Sequence, residues 1–190
     1  MELYKRIIEI VDANLIYCLI PIILTLMLVE LIFKNRFETK KGLNLICWTI
    51  IVYAIITWTI TLIGMALYPE ESALINRATG SYKIAYWIMF ISALILPFTL
   101  LIKKLASKFS HVLFVAFCIK IGFYFERFII IVTSYHRDYQ TENGNTEFIN
   151  SFSFGIGMIF LQGIIIAILT LGIFEITKRK KTVHNNWYRK

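Results

Sequence analysis

Apolar residues dominate five long stretches of this chain, 13–33, 43–68, 82–102, 112–134 and 152–176, and polar residues gather in short segments between them. A helix needs about 20 apolar residues to cross the roughly 30 Å hydrocarbon core of a bilayer, and each stretch reaches that length. The second carries no charged residue. The fourth carries Lys120, Glu126 and Arg127, and its length and flanks still mark it as a span. Ahead of the first stretch, Leu3, Ile7, Val11 and Leu15 follow a helical repeat, with Glu2, Lys5, Arg6, Glu9 and Asp12 on the opposite side. That is the pattern of a helix lying in the membrane interface. The expected fold is therefore an all-α integral membrane protein: five transmembrane helices in a bundle with a short N-terminal interfacial helix. The chain divides into an amphipathic helix over 1–14, a membrane domain over 15–177 and a basic tail over 178–190.

Composition agrees. With 58% apolar residues, 17% charged residues and a mean hydropathy of +0.69 over 190 positions, the chain is too apolar for one water-soluble core. Cys18, Cys47 and Cys118 are far apart within apolar runs, so neither a disulfide framework nor a zinc or iron–sulfur cage is expected. The first stretch is long, contains Pro21 and lacks a small-residue cleavage site, which argues against a secretory signal. Tyr17 before Cys18 argues against lipid attachment there.

The net charge of +8 invites a nucleic-acid reading until the basic residues are placed. Thirteen fall in the 34–41 segment, the 103–111 segment and the tail, and five on the other side of the spans. Lysine and arginine are retained on the cytoplasmic side, so this asymmetry puts the N-terminus outside and the C-terminus in the cytoplasm. The excess reports topology, with the tail near anionic headgroups. No basic segment is long enough to form a nucleic-acid surface.

Ionisable groups at membrane depth cost a few kcal/mol each and normally face partners or water. Lys120 and Arg127, seven residues apart, share one helix face to within about 20°, while Glu126 points about 100° from Arg127. Two readings stand: a proton or ion path through Lys120 and Glu126, or a buried structural pair with Arg127 or a partner subunit. His136, Arg137 and Asp138 follow directly and suit either a proton gate or a polar helix end. Glu30 and Glu175 are expected to pair at the surface with Lys34 and Lys178. His111, His136 and His184 sit at different depths, so no haem held between spans is expected. The Thr49, Tyr53, Thr57, Thr61 stripe and the small-residue pairs Ser151/Gly155 and Gly163/Ala167 read as helix packing, and Pro21 and Pro97 as kinks.

Two segments carry more than generic membrane character. One is Asn76-Arg77-Ala78-Thr79-Gly80 continuing through Ala85-Tyr86-Trp87-Ile88-Met89; the other is Phe125-Glu126-Arg127-Phe128 through Thr133-Ser134 into His136-Arg137-Asp138. Together they resemble the C-terminal helices of the polysulfide-reductase membrane-subunit (NrfD-like) family, closest to the membrane subunits of alternative complex III, a quinol:cytochrome c oxidoreductase. The likeness implies a subunit beside other NrfD-like, iron–sulfur and cytochrome c subunits, in complexes that oxidise a quinol. It also implies that Glu126, Arg127, His136, Arg137 and Asp138 match positions associated with a proton path. The chain departs from that family in two ways. It lacks the preceding bundle that carries the quinol-binding histidine and acidic residue, and Gln140-Thr141-Glu142-Asn143-Gly144 replaces the Leu-Pro-Ser-Ser that tends to follow the His-Arg-Asp segment.

The expected role is thus a shortened NrfD-like subunit, non-catalytic by itself. It would bind no cofactor of its own, with quinol, iron–sulfur clusters and haem c on partner subunits. An enzyme-class rival has the chain completing a quinol site shared with another subunit. A small ion transporter or channel is a third reading, weakened because no interrupted half-helix pair or inverted repeat is visible.

Overall fold

The computed structural model describes residues 2–34, 36–67, 79, 83–121 and 144–187, with 2–5, 85, 144–153 and 179–187 as backbone only. Every regular element among them is a helix: α1 (Glu2–Val11), a π-turn (Asp12–Ile16), α2 (Leu19–Phe33), α3 (Thr39–Leu67), α4 (Lys83–Thr99), α5 (Lys103–Ala106), α6 (Phe109–Cys118) and α7 (Gly144–Trp187). Three helical segments are long and apolar enough to cross a membrane, Arg6–Phe33, Thr39–Leu67 and Phe154–Lys178, with shorter apolar helices over Tyr86–Thr99 and Phe109–Cys118. The protein is a helical membrane protein.

The first span does not begin after a separate interfacial helix. α1 runs through the π-turn directly into α2, and the reason lies in Pro21. Proline has no N–H to offer the carbonyl four residues back, that of Tyr17, and its ring crowds that carbonyl. Just ahead of it the helix widens: the Tyr17 amide bonds Asp12 O at 3.0 Å, five residues back, and regular spacing resumes with Ile22 N to Cys18 O at 2.9 Å. α2 ends where Lys34 adopts a left-handed conformation, φ 37°, its amide closing on Glu30 O.

α2 packs against α7, α6 and α3, and α3 also meets α4, α6 and α7. Leu19, Ile23 and Leu26 of α2 interlock with Leu43 and Ile50 of α3, Val112 and Val115 of α6, and Ala167 of α7. On the outside, Leu31, Val52, Ile84 and Ile173 remain exposed, as a lipid-facing surface requires. In lipid the driving force between helices is close packing, and α7 reaches α2 through Gly163: a Cβ there would lie 2.6 Å from Pro21 Cγ and 3.1 Å from Cys18 O. Gly163/Ala167 is therefore a true contact pair. Gly155 has open space around it, and the side chain of its predicted companion Ser151 lies outside the described residues.

The threonine stripe of α3 turns inward on its own helix, since Thr49, Thr57 and Thr61 donate to the carbonyls of Leu45, Tyr53 and Thr57. Of the four stripe residues Tyr53 makes the side-chain hydrogen bond that crosses to another element. Near the α2–α3 turn the acidic residues have partners beyond those expected. Glu30 accepts the Thr39 hydroxyl, while Lys178 lies 3.4 Å from Glu38, which Lys41 approaches at 3.2 Å.

Lys41 foremost, and then Lys178, hold the Glu38 carboxyl below its ordinary range. A depressed carboxyl stabilises the fold above its unfolded pKa and loses that contribution as pH falls through the folded value. Glu38→Gln should therefore lower the melting temperature in detergent at neutral pH and low salt. The difference from wild type should vanish in acid, and it should shrink in high salt because the pairs are solvent-exposed.

Candidate functional site

Of the charges expected at membrane depth, Lys120 is described, and its partner is Asp12. The Lys120 ammonium lies 2.5 Å from Asp12 Oδ2, and the Tyr53 hydroxyl donates to Oδ1 of the same carboxylate at 2.5 Å. The rings of Tyr53 and Tyr17 face the ammonium at 5.3 and 5.6 Å from their centroids. Four side chains from the π-turn and its C-terminal edge, α3 and the C-terminal end of α6 thus close on one point. The Lys120 and Asp12 side chains are only 15% and 16% exposed.

Local backbone irregularities position both ends of the pair. Asp12 opens the π-turn that Pro21 provokes, and Gln162 of α7 donates to the Asn14 carbonyl and to its side-chain oxygen, both at 3.2 Å. On the other side, α6 tightens as it ends: the Lys120 amide bonds the Phe117 carbonyl three residues back at 3.3 Å. Irregular turns of this kind re-aim side chains and recur at functional positions. Tyr53 sits fourteen residues from Thr39 at the start of α3, about 21 Å along it and at the midpoint of the helix.

Chemically, the carboxylate is the hub, accepting from an ammonium through one oxygen and a phenol through the other. A buried ion pair holds only when its remaining lone pairs are also satisfied, and Tyr53 supplies that second bond.

Lys120 is a charge its apolar run predicts at depth, whereas Asp12, expected on the water-facing side of an interfacial helix, turns inward to meet it. A signal for Asp12 existed in the sequence. It lies four residues before Ile16, seven before Leu19 and eleven before Ile23, the row that α2 buries. Glu126, Arg127, His136, Arg137 and Asp138 lie outside the described residues.

Elsewhere, His111 Nε2 lies 3.0 Å from the Thr99 hydroxyl, and Cys18, Cys47 and Cys118 are buried thiols, with Cys47 Sγ 3.7 Å from Ala106 O. Among the described residues no group of three or more histidine, cysteine or acidic side chains gathers where a metal could be held.

No family model, curated protein or solved structure matches this chain.

Proposed function

We propose that this chain is an NrfD-like subunit of a respiratory quinol-oxidising complex in the bacterial inner membrane. It supplies helix packing and a proton route, while neighbouring iron–sulfur and cytochrome c subunits hold the redox centres. It crosses the bilayer five times, with its N-terminus periplasmic and its C-terminus cytoplasmic. The second and third readings, half of a shared quinol site and a small transporter, differ from this one in what the chain does without partners.

The observation that supports this reading is the Asp12–Lys120–Tyr53 junction. Helix packing alone does not call for an ion pair inside an apolar bundle, because desolvating two charges costs several kcal/mol that apolar side chains would avoid. Such groups in membrane proteins mark proton relays and ion pathways, and here a phenol donates to the same carboxylate. Lys120 stands six and seven residues before Glu126 and Arg127 in the segment that resembles the family's proton path.

Purification from native membranes with partners intact tests the proposal. Haem- and cluster-bearing subunits should co-purify, and Glu126→Gln or His136→Ala should lower quinol oxidation by about a hundredfold without loss of assembly. A rise in quinol KM along with that loss would assign the chain to a shared quinol pocket. Unchanged turnover in both variants would leave scaffolding alone, and purification without any redox partner would overturn the reading.

A further inference from the structure

We propose that the cleft between the start of α3 and the α4–α5 corner binds the headgroup of an anionic phospholipid. The corner is made by the end of α4. Two residues beyond Pro97 the helix stops, three tight turns over Leu100, Leu101 and Ile102 follow, and the single-turn α5 brings Lys103 back beside α3. A hollow of about 250 Å³ results, with Lys40, Lys103, Asn44 and Ser107 among its polar lining and Trp48 and Leu101 among its apolar lining.

Its charge is one-sided. Lys41 and Lys178 near this end are engaged by Glu38, but no carboxylate is among the described residues lining the cleft. Two lysines and two hydrogen-bonding side chains lining one cleft suit a phosphodiester. The order of groups along α3 fits the rest of a phospholipid. Lys40, Asn44, Trp48 and Ile51 follow at four-, four- and three-residue spacing, so one face runs about 17 Å from cation through amide to apolar surface. Trp48 is 54% exposed and Leu101 56%, as expected where acyl chains cover them.

A second depression shares Lys40, Asn44 and Trp48 and leads the other way, to Leu45 and Phe174 of α7. The Lys40–Trp48 row is thus flanked on both sides by open depressions with apolar walls, one for each chain of a diacyl lipid. A free phosphate would use the lysines and leave both depressions bare. The inference is independent of the respiratory reading.

Native mass spectrometry of the full chain in detergent, titrated with phosphatidylglycerol, phosphatidylcholine or inorganic phosphate, tests it. Lys40→Gln/Lys103→Gln should weaken phosphatidylglycerol adducts about tenfold or more, at roughly 1 kcal/mol per lysine. Lys104→Gln/Lys108→Gln, which removes equal charge outside the cleft, should leave them nearly unchanged. Equal losses in the two double variants would overturn the site in favour of diffuse surface charge. Equal binding of phosphatidylcholine, or displacement of phosphatidylglycerol by millimolar phosphate, would also overturn it.

Discussion

Asp12→Asn should destabilise the folded protein by up to about 3 kcal/mol, the low end for removing one member of a buried ion pair, because both side chains keep some exposure. The amide keeps the shape of the carboxylate and still accepts the Tyr53 hydroxyl, so what is lost is the charge opposite Lys120. The Tyr17 and Tyr53 rings remain over the ammonium, but cation–π attraction of about 0.5–2 kcal/mol does not make up that loss. Removing both charges has a different outcome. Asp12→Asn combined with Lys120→Met should recover most of the stability, because no uncompensated charge is left and the methionine fills the space of the lysine stem. Denaturant unfolding in mixed micelles would measure both. A fully stable Asp12→Asn, or a double variant whose loss equals the sum of the two single losses, would show that the pair carries no coupled energy.

Gly163 should be the least replaceable glycine among those whose surroundings the structure describes. Gly163→Leu is expected to abolish the native packing of α7 on α2, because even the first carbon would sit 2.6 Å from the rigid Pro21 ring and 3.1 Å from a backbone carbonyl. Neither neighbour can rotate aside. Gly163→Ala is the quantitative test: overpacking costs about 1–3 kcal/mol, set against a gain of about 1 kcal/mol from alanine's better helix propensity, so a net loss is expected. At Gly155 a new Cβ meets nothing within 4 Å, and Gly155→Ala should gain up to about 1 kcal/mol. Opposite signs at two glycines of one helix are the outcome to look for. A stabilising Gly163→Ala would mean that α7 does not approach α2 as closely as the backbone places it.

The two variants touch the same construction from different sides. Pro21 is both the surface that Gly163 meets and the residue that opens the helix ahead of it, so the packing of α7 and the placement of Asp12 are linked through one ring. Loosening α7 should therefore also disturb the Gln162 contacts to Asn14 and, through the π-turn, the Asp12 carboxylate. Lys120→Met made in a Gly163→Ala background should cost less than it does alone if the junction is already relaxed there.

Helical membrane character was legible in the sequence because lipid leaves the backbone few choices: without water, a spanning segment must satisfy its own amides, and a long apolar run does so as a helix. Lys120 was legible as a buried charge for the same reason, since its position within an apolar run sets its depth. So was the small-residue pair Gly163/Ala167, where spacing along one helix puts both on one face. Its partner was not. Asp12 and Lys120 are 108 residues apart, and helical periodicity specifies which face a residue occupies without saying which other helix meets that face.

The same limit governed the rest of the site. Which of the four stripe residues on α3 would reach across rather than bond its own helix depended on the distance to the π-turn, and only the phenol of Tyr53 is long enough to span it. The α1–α2 junction shows the division most plainly. Amphipathic patterning over the first residues marked an interfacial helix and Pro21 marked a kink, yet the helix runs through as one piece with a wider turn, because bonds from Tyr17 to Asp12 and from Gln162 to Asn14 hold carbonyls near the turn. The sequence by itself determined the solvent of this protein, its helical backbone and the charge that had to be compensated. Only the tertiary structure decided what compensates it, because pairing between distant helices follows from their packing and not from the order of residues along any one of them.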